Sequence, residues 1–147
     1  MTLEPECQSS QPVILGFDPG RQKCGMAVMG LDRTLLYYEV VAADRSIETV
    51  RNLRSRYPIS LLVMGNQTSS KQWKQCLVEE VGSDLSIVLV DERNSSLEAR
   101  DRYWQMFPPT GWQRFIPQSL RTIPRPIDDI VAVLLIERYL KQLVTNT

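Results

Sequence analysis

Hydrophobic and polar positions along the first part of the chain follow the pattern of β-strands. Apolar runs cover residues 12–18, 24–30 and 34–42, and the third run is rich in tyrosine and valine. The segments between them, 19–23 and 31–33, are short and contain turn-forming residues. Short connections of this kind join antiparallel neighbours, so the chain is predicted to begin with a three-stranded antiparallel meander.

The spacing of the apolar positions then changes, and helices alternate with strands. Apolar residues recur at helical spacing over residues 47–57 and 73–81, which predicts two helices that end at a proline and a glycine. Each helix is followed by a continuous apolar run, at residues 59–65 and 86–92, which predicts a buried strand. This alternation is typical of parallel β-α-β units.

The last part of the chain predicts two further helices separated by a loop. Ser95 and Glu98 have the spacing of a capping box, and residues 97–106 contain good helix formers. Residues 108–126 contain five prolines and are expected to form a loop. Residues 127–143 begin as an almost continuously apolar segment, which predicts a helix packed directly on the sheet.

These elements together predict an α/β fold. The expected sheet is mixed and five-stranded, with three antiparallel meander strands followed by parallel β-α-β units, and helices flank it. All 147 residues are expected to form one domain, with residues 1–11 as a flexible tail. Ligands of such sheets bind beyond the carboxyl ends of the parallel strands, so the residues that follow strands are the first candidates for a site.

Composition excludes several classes of function. The chain has no histidine, which excludes Ser-His-Asp and Cys-His catalysis and histidine-based zinc hydrolysis. Seventeen basic and seventeen acidic residues give zero net charge, which argues against non-specific coating of nucleic acid. Cys7, Cys24 and Cys76 lack metal-binding spacing, so reduced thiols are expected. No apolar run reaches the roughly 20 residues of a membrane span, and a cytoplasmic protein without membrane contact is expected.

Three acidic residues lie where apolar runs end. Asp18 follows the first strand, Glu92 ends the fifth, and Asp128 precedes the apolar part of the last helix. If these ends meet at one edge of the sheet, the carboxylates repel one another unless a cation lies between them, and carboxylate oxygens select Mg²⁺ or Mn²⁺. Because side chains alternate along a strand, Asp91 competes with Glu92 for the pocket. Asp129 competes in the same way with Asp128.

Basic and aromatic residues accompany these acids. Arg21 and Lys23 follow Asp18 on a turn, where they could hold substrate phosphates, although a solvated hairpin explains them equally well. Residues 93–125 contain six arginines but two acidic residues, and aromatic residues are interleaved with them. Arginine and aromatic side chains can bind phosphates and stack on unpaired bases, although a solvated loop and core aromatics are the alternative. The substrate-binding candidates are Arg21, Lys23, Arg93, Trp112, Arg114, Arg121 and Arg125.

Three blocks of the sequence resemble a known family. Residues 14–28, ILGFDPGRQKCGMAV, are similar to the opening strand and turn of the RuvC-like resolvases, especially of their YqgF (RuvX) branch. Residues 91–99, DERNSSLEA, resemble the D-E-R-x-T-T block and helix of that branch, and residues 127–140 resemble its last helix. The blocks occur in the family's order and spacing.

This resemblance implies an RNase H-like fold and a metal-dependent nuclease that acts on branched DNA or on precursor ribosomal RNA. Carried over residue by residue, Asp18, Glu92 and Asp128 would be both the catalytic and the metal-binding residues, with Mg²⁺ or Mn²⁺ as the cofactor. Two cations about 4 Å apart would activate water and neutralise the leaving oxygen, so the reaction requires no protein base.

The chain departs from the family pattern at two places. The branched-DNA resolvases have a further acid one helical turn before the last, where this chain has Arg125, and this difference favours the YqgF branch. Residues 65–68 lack the proline-containing loop that is usual after that strand. A non-catalytic nucleic-acid or ribosome-associated binding module is the alternative function, and a sugar-kinase-like domain, which would need a second similar domain, is a third. The sequence leaves open whether RNA or DNA is the substrate and whether the chain forms a homodimer.

Overall fold

The computed structural model of the protein describes residues 11–67 and 69–145. Residues 1–10, 68, 146 and 147 lie outside the described part. Cys7 and most of the predicted tail are therefore not described. The strands are β1 (Val13–Asp18), β2 (Lys23–Gly30), β3 (Leu35–Ala42), β4 (Ile59–Gly65) and β5 (Ser86–Val90). The α-helices of this part are α1 (Ser46–Arg56), α2 (Ser70–Glu80), α3 (Ser95–Met106) and α4 (Asp128–Thr145). The predicted order of elements is confirmed.

The strands form one five-stranded sheet in the order β3-β2-β1-β4-β5. β1 is antiparallel to β2 and parallel to β4, β2 is antiparallel to β3, and β4 is parallel to β5. The predicted mixed sheet is therefore confirmed. Because β1 lies in the middle, its carboxyl end at Asp18 has the start of β2 on one side and the end of β4 on the other.

Apolar residues cover both faces of this sheet. On one face, Ile14 packs in a cluster with the buried residues of α4 and with Tyr103 and Trp104 of α3. On the other face, Phe17 packs in a cluster that includes Leu53 of α1 and residues of α2. Every residue of α4 from 129 to 136 is buried, which confirms the prediction of a helix packed directly on the sheet. None of the described helices is long and apolar enough to cross a membrane.

Three local predictions differ from the structure. Ser95 is the first residue of α3 rather than its cap, and Asn94 before it has a left-handed backbone with φ 59°. The predicted loop at residues 108–126 contains two short 3-10 helices, Gly111–Phe115 and Gln118–Leu120. Strand β5 ends two residues earlier than predicted, at Val90, so the two acids that follow it belong to a connection and are not constrained to alternate as strand residues.

Candidate active site

Asp18 and Asp128 are brought together by a glycine between them. Asp18 ends β1 and pairs with Gly25 of β2. The first residue of α4, Asp128, lies directly on this glycine, because a Cβ on Gly25 would lie 1.9 Å from the carbonyl oxygen of Asp128. A residue without a side chain is therefore required for the helix to begin beside Asp18.

A second glycine positions Glu92 on the other side of β1. Gly65 ends β4, the parallel neighbour of β1. A Cβ on Gly65 would lie 2.7 Å from Oε2 of Glu92, so this carboxylate lies against the end of β4. Among the described residues, Oε2 of Glu92 is buried without a hydrogen-bond partner. The three acids therefore line one edge of the sheet, with Asp18 in the middle.

The pKa values of two of these acids, Asp18 and Glu92, are raised. Burial, followed by the negative charges of Asp128 and Glu92, raises the pKa of Asp18 to about 7. Burial also raises the pKa of Glu92, and the backbone N–H of Gln67 and the positive charge of Arg138 oppose this rise. Perturbation of this kind is expected of carboxylates that share a site.

The two competing acids have partners elsewhere. Asp91 is exposed, and its Oδ1 accepts a hydrogen bond of 2.9 Å from the backbone N–H of Arg93. Asp129 is 1% exposed and forms an ion pair with Arg125. Both carboxylates are therefore engaged away from the acidic edge, which favours the other member of each pair as the ligand.

The three carboxylates are chemically suited to a hard divalent cation, but their side chains are not arranged as a complete metal site. Within residues 11–67 and 69–145, no group of three Asp, Glu, His or Cys side chains is arranged closely enough to hold a metal ion. The edge nevertheless has three carboxylates that can supply oxygen ligands. Oε2 of Glu92 has no hydrogen-bond partner among the described residues, and the pKa of Asp18 is raised. A bound cation would remove this uncompensated negative charge, so the residues fit Mg²⁺ or Mn²⁺.

Comparison with known proteins identifies the fold. No family profile and no curated protein matches the sequence. Thermus thermophilus RuvC in complex with a Holliday junction substrate superposes with a TM-score of 0.56 at 18% identity, over 90% of this chain and 96% of that chain. The fowlpox virus Holliday junction resolvase superposes with a TM-score of 0.59 at 19% identity, over 89% of this chain and 99% of that chain. The chain has the RuvC-like resolvase fold. At these identities the likeness concerns the fold alone.

Within this RuvC-like fold, Gln67 links the two connections that carry acids. Its side-chain Nε2 donates a hydrogen bond of 3.1 Å to the carbonyl oxygen of Pro19, directly after Asp18. Its backbone N–H lies close enough to the carboxylate of Glu92 to lower the pKa of that group. Sequence reasoning missed this residue, and its position two residues after a buried strand was the only signal that the sequence offered.

Arg138, also missed, holds the connection after β5 in place. Its guanidinium donates to the carbonyl oxygen of Asp91 at 2.6 Å and to that of Arg93 at 2.7 Å. With Arg93, Arg33 and Lys141 it lines a surface groove of about 600 Å³ beside this connection. Arg138 lies on the last helix, where the sequence alone offers no reason to distinguish it from other arginines on a helix surface.

Two of the predicted substrate-binding arginines have internal partners. Arg121 donates hydrogen bonds of 3.0 Å to the carbonyl oxygens of Gln113 and Ile116, and its guanidinium lies 5.3 Å from the centre of the Trp104 ring. Arg125 forms the ion pair with Asp129 described above. Both guanidinium groups stabilise the fold, so we do not carry these two residues forward as phosphate contacts.

Two further arginines of residues 93–125 also have partners within the protein. Arg100 donates to the carbonyl oxygen of Arg121 at 3.0 Å, and Arg102 forms an ion pair of 2.9 Å with Glu137. Most of the positive charge of this segment is therefore used inside the RuvC-like fold. The five candidates that stay on the surface are Arg21, Lys23, Arg93, Trp112 and Arg114.

Arg21 lies closest in sequence to the central acid. It lines a surface groove of about 630 Å³ together with residues of the turn after β1, with Gln67 of the connection after β4 and with Trp73 of α2. Lys23 begins β2 and is exposed at the same edge of the sheet. Substrate that approaches Asp18 would therefore meet positive charge on this turn.

Proposed function

We propose that the protein is a divalent-metal-dependent endonuclease that hydrolyses phosphodiester bonds in structured nucleic acid, either precursor ribosomal RNA or branched DNA. The observation that carries this proposal is the row of three carboxylates at one edge of a RuvC-like sheet. Asp18 ends β1, Glu92 lies on the connection after β5, and Asp128 begins α4. Gly25 leaves room for Asp128 and Gly65 leaves room for Glu92. The absence of histidine from the sequence is compatible with hydrolysis that requires no protein base.

The chain's own residues would divide the work between holding the cation and holding the substrate. Asp18, Glu92 and Asp128 would supply the oxygen ligands of Mg²⁺ or Mn²⁺, which when bound activates water and stabilises the leaving oxygen. Arg21 and Lys23 would hold substrate phosphates on the turn after Asp18. Arg93 would do so on the connection after β5, where no carboxylate neutralises its side chain among the described residues.

We propose further that the protein belongs to the YqgF branch of the resolvase-like nucleases. The branched-DNA resolvases have an additional acid at the position of Arg125. Here Arg125 instead neutralises the buried carboxylate of Asp129, so this position adds no negative charge to the edge. This difference favours precursor ribosomal RNA over a Holliday junction as the substrate.

Cleavage of a labelled panel tests the proposal. The panel contains precursor ribosomal RNA fragments, four-way DNA junctions and plain duplexes, each incubated with millimolar Mg²⁺, millimolar Mn²⁺ or a chelator. We expect cleavage of a structured substrate with the cation and not with the chelator, and a loss of at least about 100-fold in Asp18→Asn, Glu92→Gln and Asp128→Asn. Asp91→Asn is the matched control, because an exposed amide oxygen can still accept the hydrogen bond from Arg93.

Two results would contradict the proposal. Cleavage by Asp18→Asn at the wild-type rate would show that this acid is a turn residue. Specific binding of structured RNA without cleavage under either cation would favour the alternative function, a non-catalytic binding module with this fold.

A further inference from the structure

Two aromatic side chains on the segment before α4 are almost completely exposed. Trp112 is 84% exposed and Phe115 is 81% exposed, more than any other large hydrophobic side chain in the described residues. Both lie on the 3-10 helix Gly111–Phe115. Burial of one such side chain stabilises a protein by roughly 1.5 to 3 kcal/mol, so the exposure of two neighbouring rings indicates a binding surface.

This short helix is fixed to the rest of the fold. Arg121 donates hydrogen bonds to the carbonyl oxygens of Gln113 and Ile116 and lies over the ring of Trp104 in α3. Arg100 of α3 in turn donates to the carbonyl oxygen of Arg121. The two exposed rings are therefore held on a braced segment, and a partner would bind them with a small loss of conformational entropy.

The charge around the rings is positive. Residues 107–127 contain three arginines and no aspartate or glutamate. Arg121 and Arg125 have internal partners, whereas the guanidinium of Arg114 lies on the surface, 5.6 Å from the centre of the Phe115 ring. A partner that offers flat aromatic faces together with negative charge fits this combination, and unpaired nucleotides offer both.

The segment also leads directly to the acidic edge. It continues into α4, whose first residue is Asp128. Arg125, near the end of the segment, is tied to the first turn of α4 by its ion pair with Asp129. A nucleic-acid strand bound to this segment would therefore contact the part of the chain that continues into Asp128 of the proposed active site.

We propose that Trp112, Arg114 and Phe115 form an aromatic platform on which unpaired nucleotides stack. The proposal rests on the proposed nuclease function and narrows its substrate to nucleic acid with a single-stranded segment beside a structured region. A hydrophobic protein partner would match the two rings but would not explain the surface guanidinium of Arg114 between them, in a segment that lacks acidic residues.

The test is equilibrium binding of full-length Asp18→Asn protein in chelator, measured by fluorescence anisotropy, so that cleavage plays no part. The labelled probes are an RNA hairpin with a single-stranded overhang and a blunt RNA duplex of equal charge. Adding Trp112→Ala and Phe115→Ala should weaken binding of the overhang probe by at least about 10-fold, because base stacking on aromatic side chains is lost. Binding of the blunt duplex should change by less than about 2-fold.

Matched variants control for exposed surface and for aromatic character. Leu97→Ala and Leu120→Ala remove side chains that are 66% and 71% exposed and should leave both probes unaffected. Trp112→Phe should retain most of the affinity for the overhang probe. Unchanged affinity for the overhang probe in the double variant would overturn the platform, as would an equal loss on both probes. If wild type cleaves nothing while the double variant still loses the overhang probe selectively, the nuclease proposal fails and the platform stands.

Discussion

At the scale of single residues, two glycines determine how closely Asp128 and Glu92 approach the ends of the strands. Gly25 lies under the carbonyl oxygen of Asp128, and Gly65 lies under the carboxylate of Glu92. The two contacts differ in what would have to move if a methyl group were added. At Gly25 the obstacle is helix backbone, whereas at Gly65 it is the end of a flexible side chain. Alanine at the two positions should therefore affect folding and the site differently.

Gly25→Ala is expected to lower the free energy of unfolding by about 3 kcal/mol or more, because the start of α4 must shift. Gly65→Ala is expected to change it by less than about 1 kcal/mol and to lower cleavage at least about 10-fold, because Glu92 is displaced. Urea denaturation and cleavage assays on the same two proteins check both expectations. Equal destabilisation by the two substitutions would contradict this account of the edge.

At the scale of elements, helix α4 depends on an ion pair next to its catalytic candidate. Arg125 precedes the helix and pairs with Asp129, which is 1% exposed. Removal of one partner from such a pair leaves a buried charge without compensation, which is strongly destabilising. We therefore regard Arg125 as a support for the start of α4.

Arg125→Gln is expected to lower the free energy of unfolding by about 2 to 4 kcal/mol, and Asp129→Asn in the same protein should restore part of this loss. The salt dependence of nucleic-acid binding should not change in Arg125→Gln. Arg114→Gln is the matched comparison, since loss of one phosphate contact reduces the log-log slope by about 0.7 to 0.9. A reduced slope together with unchanged stability in Arg125→Gln would assign this residue to the substrate after all.

At the scale of the whole molecule, zero net charge conceals a local concentration of negative charge. The pKa of Asp18 is about 7 in the folded protein, against an ordinary value of 3.8. The folded state therefore binds this proton more tightly than the unfolded state does. Without a cation, the stability contributed by this proton is complete below about pH 4 and is lost as the pH rises through about 7.

In chelator, the free energy of unfolding should fall as the pH rises from about 4 to about 7 and then level off. The upper bound of this change is roughly 4 kcal/mol, since one pKa unit corresponds to about 1.4 kcal/mol, and partial exposure of the side chain reduces it. Asp18→Asn should flatten the profile. Saturating Mg²⁺ or Mn²⁺ should raise stability most above pH 7, by about 2.7 kcal/mol at 100 times the dissociation constant. An unfolding midpoint at pH 8 that does not respond to the cation would count against the metal site.

The sequence by itself determined the order of the elements, the mixed sheet and the positions of the acids at the ends of elements. These features depend on hydrophobic spacing and on turn residues, which act over a few neighbouring positions. The same reasoning misplaced the cap of α3 and the end of β5, because element boundaries depend on backbone conformations such as the left-handed one at Asn94.

The tertiary structure alone decided which polar side chains are free to act. Gly65 leaves room for the carboxylate of Glu92, whereas the exposed carboxylate of Asp91 accepts a hydrogen bond from the backbone N–H of Arg93. Gln67 and Pro19 meet across 48 positions of sequence, and Arg138 reaches Asp91 across 47. A long polar side chain pairs with whatever the fold brings within hydrogen-bond distance, and no local pattern in the sequence encodes that partner.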